Sequence, residues 1–560
     1  MPTSLTCTLC HSAFALSDTE IAFLDRLSPI IANQKFPLPN PTQCPNCRLI
    51  GRVINRNEQF LYNTKSAQSG KDIIALYSAD SPASNRFKVY TQEEWWEESM
   101  DPLSYGREYD FSRPFFAQYA DLHLSVPKPA LNQVSNENSP YTTGTGYCKN
   151  CHLINSSEYC QDCYYGKLIQ SSRDIMDSCY IYDSELCYQC FYLTKCYGCN
   201  YTYYSQNCTE CYFSDNLKGC KNCFLCTNLD NKQYYFLNEP LEKDAYIAKV
   251  HEFLGSKENI TKALALFTDL RKKRIYKYAN ITNCESSTGD FLTNCQNCID
   301  CYDTNDSQDC QHVIVGVEIK DVMDCSNVYV KPELNYQVMG ALNTYQVLFG
   351  IYVFNSQNIL YSQFCYNSNN LFGCNGMKKN EYCILNKQYS KSEYEALVPK
   401  IIAHMKSTQE WGEFFPPTLS PFSYNETVAN EYLPLTQEAA QKRGYSWKEK
   451  NQKDYQPQNY HVPSKISEVK DDILQAILAC STCGKNYRIL PQELRKLRDT
   501  NFPIPEKCPD CRHSERMSLR NPRKLYERQC SNCSLSIISP FAPTREEKVY
   551  CEQCYLQNVL

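Results

Sequence analysis

Twelve cysteines near the two ends of the chain carry the most specific chemistry. Cys7 and Cys10 are joined by Cys44 and Cys47, Cys480 and Cys483 by Cys508 and Cys511, and Cys530 and Cys533 by Cys551 and Cys554. Each set is two CxxC turns. Four thiolates about 2.3 Å from one ion make a closed tetrahedral shell for zinc, with no position left for a substrate. The expected cofactor is structural Zn2+, about three ions, one per complete set.

Such knuckles need short hairpins and helix starts to hold them, and both ends supply these by one plan. CTLC leads through a helix-like stretch to FPLP and CPNCR, and CSTC leads in the same way to FPIP and CPDCR. From Cys44 and Cys508 onward the two stretches align without a gap, Arg52 on Arg516, Arg56 on Arg520, Asn57 on Asn521 and Tyr62 on Tyr526. The module is duplicated. Continuing the register sets Ser66 and Ser69 against Cys530 and Cys533 and, after a small insertion, Thr91 and Glu94 against Cys551 and Cys554. The N-terminal copy has therefore kept one set whole and lost the other whole. Cross-braced sites would have left two halves, so sequential sites are expected. Packing by Trp95, Trp96 and nearby tyrosines is expected in place of the lost ion.

Cut at Tyr147, the middle falls into lines of twelve residues with cysteine at the second and fifth places of most lines, as in YCKNCHLINSSE and YCQDCYYGKLIQ. A short fixed period is the mark of a solenoid, in which a turn buries its face only by stacking on the next. Twelve extended residues span about 40 Å and close a very narrow coil, so a right-handed β-solenoid is expected, with one or two such units per turn. The segment is itself doubled at an offset of 147: Cys148 falls on Cys295, Cys163 on Cys310, and RDIMD from Arg173 on KDVMD from Lys320. After a one-residue shift, ELCYQ from Glu185 meets ELNYQ from Glu333. In the second copy Ser307, Asn335, Val338, Val347 and Ile359 replace Cys160, Cys187, Cys190, Cys199 and Cys211. Valine and isoleucine bind no metal, so these thiols read as compact core side chains. Further zinc or iron–sulfur sites, strongest for Cys208, Cys211, Cys220 and Cys223, and disulfides stay open as alternatives.

The fold class that follows is mainly β with α: zinc-ribbon or treble-clef modules at both ends flanking a duplicated cysteine-rich β-solenoid. The boundaries are a zinc module over 1–62, a metal-free degenerate ribbon and linker over 63–146, and the first solenoid copy over 147–238. A helical connector (239–283), the second copy (284–389), a helix (390–415) opened by a Ser390–Glu393 capping box and a linker (416–479) follow. A zinc module (480–528) and a zinc ribbon (529–560) end the chain.

The 560 residues include 35 cysteines, 44 tyrosines and only 18 glycines, with a net charge of −5. An odd cysteine count and an N-terminus, MPTSLTCTLC, without a basic and apolar leader point to reduced thiols and a cytoplasmic protein. No apolar run approaches the roughly 18 residues that span a bilayer, so no membrane partner is expected. His11, His152 and His513 adjoin cysteine pairs and read as neighbours rather than ligands.

RNPRKLYERQC with KVYCEQCY, DPLSYGREYDFSRPFF, WGEFFPPTLSPFSYNETVANEY and the tyrosine-rich cysteine repeats together resemble a family of cysteine-rich zinc-ribbon proteins of candidate-phyla-radiation (Patescibacteria) bacteria. The resemblance spans most of the chain and implies the architecture and setting without an activity.

No Ser/His/Asp set, P-loop or GxGxxG stands out, and the CxxC pairs lack the βαβ context of a redox motif, so no enzyme is expected. The expected function is a non-catalytic zinc-binding scaffold or protein-interaction protein. The alternative is binding of RNA or DNA through Arg512, Arg516, Arg520 and Arg523, with Arg48, Arg52 and Arg56 in the N-terminal copy. Against it stands the reading that these arginines pair with Glu493, Glu515 and Glu527.

Overall fold

The computed structural model describes residues 3–308, 310–317, 324–329, 337–342, 345–348, 350–449 and 455–559, with side chains of 315–317, 324–329, 337–342, 345–348 and 351–352 left aside. The chain forms a mixed α/β structure divided into two compact units. One holds Met1–Leu131, Ala279–Glu449 and Arg523–Leu525, the other Asn132–Tyr278, Lys450–Pro522 and Tyr526–Leu560. The N-terminal cysteine module thus shares a unit with the second cysteine-rich copy, and the C-terminal modules share one with the first.

In the second unit the first copy is a run of parallel strands whose partners differ by twelve residues, as in Lys167↔Cys179, Cys179↔Phe191 and Phe191↔Tyr203. Three further columns repeat the same step: Glu137↔Lys149↔Gln161↔Arg173, Tyr164↔Met176↔Tyr188, and Gln170↔Tyr182↔Thr194. A finer period lies inside the twelve. Every third residue is a left-handed corner; Asn150, Leu153, Ser156, Tyr159 and Asp162, for example, have φ between 50° and 54°. The residue after each corner points inward: Cys148, Cys151, Ile154, Ser157, Cys160 and Cys163 begin a buried series that runs to Cys220, Cys223 and Cys226.

This geometry explains the choice of side chain. A narrow interior leaves inward carbonyl and N–H groups that must find partners without water. Cys160 Sγ donates to the carbonyls of Glu158 at 3.2 Å and Ile169 at 3.1 Å. Ser172 Oγ donates to Gln170 O at 2.7 Å and accepts from Ser184 N, twelve residues on, at 3.0 Å. A thiol or hydroxyl is compact enough to fit and polar enough to satisfy the backbone. Hydrogen bonds between successive rungs, such as Asp162 N to Lys149 O at 3.0 Å and Asp174 N to Gln161 O at 3.0 Å, offset the left-handed corners.

The second copy, in the first unit, pairs mainly in the same step of twelve, as in Gly289↔Cys301 and Gln357↔Asn369, with a step of eleven at Ile281↔Leu292 and of thirteen at Asp324↔Gln337. Of the residues that replace first-copy cysteines, Ser307 and Ile359 are buried. Val338 and Val347 lie on described strands with their side chains left aside; Asn335, Lys320 and Glu333 lie outside the described residues.

One side of each stack is covered. In the second unit Tyr165, Tyr180, Phe213 and Phe224 pack with Phe253, Phe267, Leu494, Leu497 and Phe502. Two helices of the connector, Lys243–Phe253 and Lys257–Lys273, contribute to this layer. In the first unit Leu49, Ile50 and Val53 of helix Pro45–Val53 pack with Tyr302, Ile314, Tyr424 and Val428. The Ser390–Glu393 capping box opens helix Lys391–Ser407. The stretch 416–479, expected as a linker, is largely packed. Tyr424, Val428 and Ala440 are buried in the first unit, and Ile466, Val469 and Ile473 in the second. The stretch carries two short helices, Val428–Tyr432 and Gln437–Lys442.

Candidate metal centres

Among the described residues three groups of four thiols converge, each with all Sγ atoms within 4.8 Å of one another: Cys7, Cys10, Cys44 and Cys47; Cys480, Cys483, Cys508 and Cys511; and Cys530, Cys533, Cys551 and Cys554. Every group is built alike. The first pair sits in a hairpin turn, between Thr3–Thr6 and Ala13–Leu16, between Leu478–Ala479 and Asn486–Tyr487, or between Tyr526–Gln529 and Ser536–Ser539. The second pair sits at a helix start. Cys44 and Cys508 are extended N-cap residues before Pro45 and Pro509, whose fixed φ suits the first helical position.

Tetrahedral Zn–S bonds of about 2.3 Å imply an S···S edge of about 3.8 Å. The pairs Cys10–Cys44, Cys483–Cys508 and Cys533–Cys551 stand at 3.6, 3.7 and 3.7 Å. The donor sets fit zinc before any metal is added. Within the groups some thiols are brought down while others are pushed up, Cys47 by its bond to Cys44 and Cys511 by burial. The neighbouring Cys47 thiol, outweighing burial, brings Cys44 down to about 5. Burial opposes charge on Cys480 and Cys530, yet backbone N–H groups, including Cys551 N at 3.2 Å from Cys530 Sγ, bring both down to about 6.

The run Cys208, Cys211, Cys220 and Cys223 is not among the converging groups of the described residues, and His11, His152 and His513 join none of them. None of the described cysteines is bridged to another. Cys179 is out of phase with the inward series: it lies on the outer face, 3.9 Å from His513 Nδ1.

The arginines expected to meet phosphate are placed elsewhere. Arg512 and Arg516 are 3% and 2% exposed. Arg512 pairs with Asp177 at 3.1 Å and Glu493 at 3.0 Å, and Arg516 with Asp177 at 3.1 Å. Burial works against the charge of Arg512, but Asp177 and Glu493 outweigh it and hold the proton more firmly than usual. Arg523, also buried, pairs with Asp303 and lies 3.9 Å over the Tyr432 ring. Arg520, half-buried, donates to Tyr180 Oη at 3.2 Å. Arg48, Arg52 and Arg56 are likewise buried. Of the glutamates set against the nucleic-acid reading, Glu493 takes the predicted role, whereas Glu515 pairs with Lys507. Asp177, which sequence reasoning overlooked, is the anion that matters most.

No helix among the described residues is long and apolar enough to cross a membrane. A family model described as a probable treble clef zinc finger matches residues 523–559, which contain the last cysteine group. No curated protein matches the chain.

Proposed function

We propose that the protein is a non-catalytic, zinc-stabilised scaffold whose two stacks are narrow β-solenoids, one twelve-residue unit per turn, presenting long outer faces to a protein partner in a reducing compartment. The observation that carries the coil is the step of twelve repeated in four separate columns, with an inward residue every third place. A coil of four three-residue sides accounts for both periods. Zinc, held by the twelve converging cysteines, fixes the modules that cover one side of each coil. The opposite side is left to solvent: Tyr147, Tyr159 and Tyr197 are 53, 60 and 46% exposed, and the first two rings stack at 5.0 Å. The resemblance to candidate-phyla-radiation proteins agrees with this reading and adds no chemistry to it.

The scaffold reading is favoured over the nucleic-acid alternative because Arg512, Arg516 and Arg523 are buried against carboxylates of their own chain. The test is purification of the untreated protein under mild crosslinking. The scaffold reading expects a defined protein joined through exposed stack residues such as Lys149 and Tyr159. A salt-sensitive gel shift with RNA or DNA, abolished by replacing Arg512 and Arg516 in a chain that stays folded, would overturn it.

A further inference from the structure

A fourth segment shares the backbone of the three cysteine groups. In each group the first cysteine N–H bonds to the carbonyl five residues on, as in Cys7 to Ser12 (2.9 Å), Cys480 to Lys485 (3.0 Å) and Cys530 to Leu535 (2.8 Å); Ser66 N bonds to Lys71 O at 2.8 Å. The residue four places on returns a bond, His11 to Cys7, Gly484 to Cys480 and Ser534 to Cys530, and Gly70 to Ser66 does the same at 2.9 Å. All four of these returning residues have φ between 60° and 73°. A third bond ties the turn to the strand before the second pair: Thr8 N to Thr42 O, Ser481 N to Glu506 O and Ser531 N to Val549 O, matched by Ala67 N to Val89 O at 2.8 Å. Thr91 and Glu94 then stand at a helix start, where the other groups carry their second cysteine pair.

The groups that would face sulfur now face oxygen. Asn532 N and Cys551 N donate to Cys530 Sγ at 3.5 and 3.2 Å. At the matching places Gln68 N donates to Ser66 Oγ at 3.2 Å, and Thr91 N donates to the Glu94 carboxylate at 2.9 Å. Ser66 Oγ donates directly to that carboxylate, and Glu94 N donates to Thr91 Oγ1 at 3.1 Å. Ser66 and Glu94 are both buried. Trp95 is buried beside them while Trp96 is 45% exposed, so aromatic packing, the expected substitute for the ion, is only half of what replaces it.

We propose that residues 62–96 are a fourth treble clef in which a hydrogen-bonded Ser66–Ser69–Thr91–Glu94 set has taken the ion's place, while the backbone remains preformed for four thiolates. Two serines, one threonine and one carboxylate offer hard oxygen and a single charge, a poor match for zinc beside three all-sulfur sites. Restoring sulfur supplies what is missing. The inference rests on the zinc reading of the other three groups, and the test separates the two.

Zinc per chain is measured for the full-length protein and for the variant S66C/S69C/T91C/E94C, with the absorption of the cobalt-substituted forms as a coordination readout. The expected ratio rises from three to four, with a matching increase in the thiolate–cobalt band. An unchanged ratio in a folded variant overturns the inference, whatever the wild-type count, and the wild-type count alone judges the zinc reading. Should the fourfold variant misfold, Glu94→Gln and Ser66→Ala in the native chain decide. The proposal expects faster proteolysis within 62–96 and three ions retained; unaltered proteolysis contradicts it.

Discussion

Asp177 draws Arg512 and Arg516 out of solvent and into the joint between a cysteine module and a stack. Removing one member of a buried ion pair strands the other charge, at a cost of about 3–5 kcal/mol. Asp177→Asn and Arg512→Ala should each destabilise the second unit by that order, and the double variant by clearly less than their sum, in a denaturation cycle followed by hydrogen exchange. Full additivity would mean the pair is incidental. This contact was not legible in the sequence: Arg512 and Asp177 are 335 residues apart, and a basic run on a zinc module looks the same whether it meets phosphate or a carboxylate of its own chain. The offset of 147 carries Asp177 onto Asp324, whose side chain lies outside the description. The cysteines divide by the same logic of surroundings. Cys511→Ser should lose one zinc per chain, whereas Cys208→Ser should keep all three and cost about 1 kcal/mol or less, since Ser172 and Ser184 already occupy the same inward column. Loss of an ion from the Cys208 variant would contradict this.

At the scale of elements, one spacing serves two structures. In a knuckle CxxC brings two sulfurs to one ion; in the stacks it is the three-residue spacing of buried side chains between left-handed corners. The twelve-residue period was legible from the cysteines alone. The period of three was present too, in Ser172, Ile175, Ser178 and Ile181, but these vary in type and do not announce themselves as one series. Corners in the left-handed region explain the abundance of Asn and Asp at these places, because β-branched residues pay most there. Asn207, at φ 53° on the exposed side, offers a clean test. Asn207→Gly should be close to neutral and Asn207→Val destabilising by about 1–3 kcal/mol, read from thermal unfolding of the second unit. Equal effects would show that the corner imposes no restriction. The convergence of each four-cysteine group was legible from paired cysteines and the Pro after Cys44 and Cys508, whereas the contact between Ser66 and Glu94 was not, since serine and glutamate at matched places do not reveal that they meet.

For the whole molecule, the order of the chain and the membership of its units disagree. The chain passes from one unit to the other at 131–132 and again at 278–279, and the strand before each crossing, Lys128–Pro129 or Ile275–Lys277, pairs with a ribbon strand of the unit it is leaving. Cutting at 278 therefore gives two halves, each with a module whose covered stack is in the other half. Residues 1–278 and 279–560 should be protease-sensitive when made singly and protected when coexpressed. Two separately stable halves would show that module and stack do not depend on one another. All of this turns on where sulfur binds metal. The most direct measurement is anomalous diffraction at the zinc edge from crystals of protein purified without chelator. The account predicts three peaks, each at the centre of one terminal four-cysteine group and none along the stacks. Peaks among Cys208, Cys211, Cys220 and Cys223, or empty terminal groups in a folded protein, would contradict it.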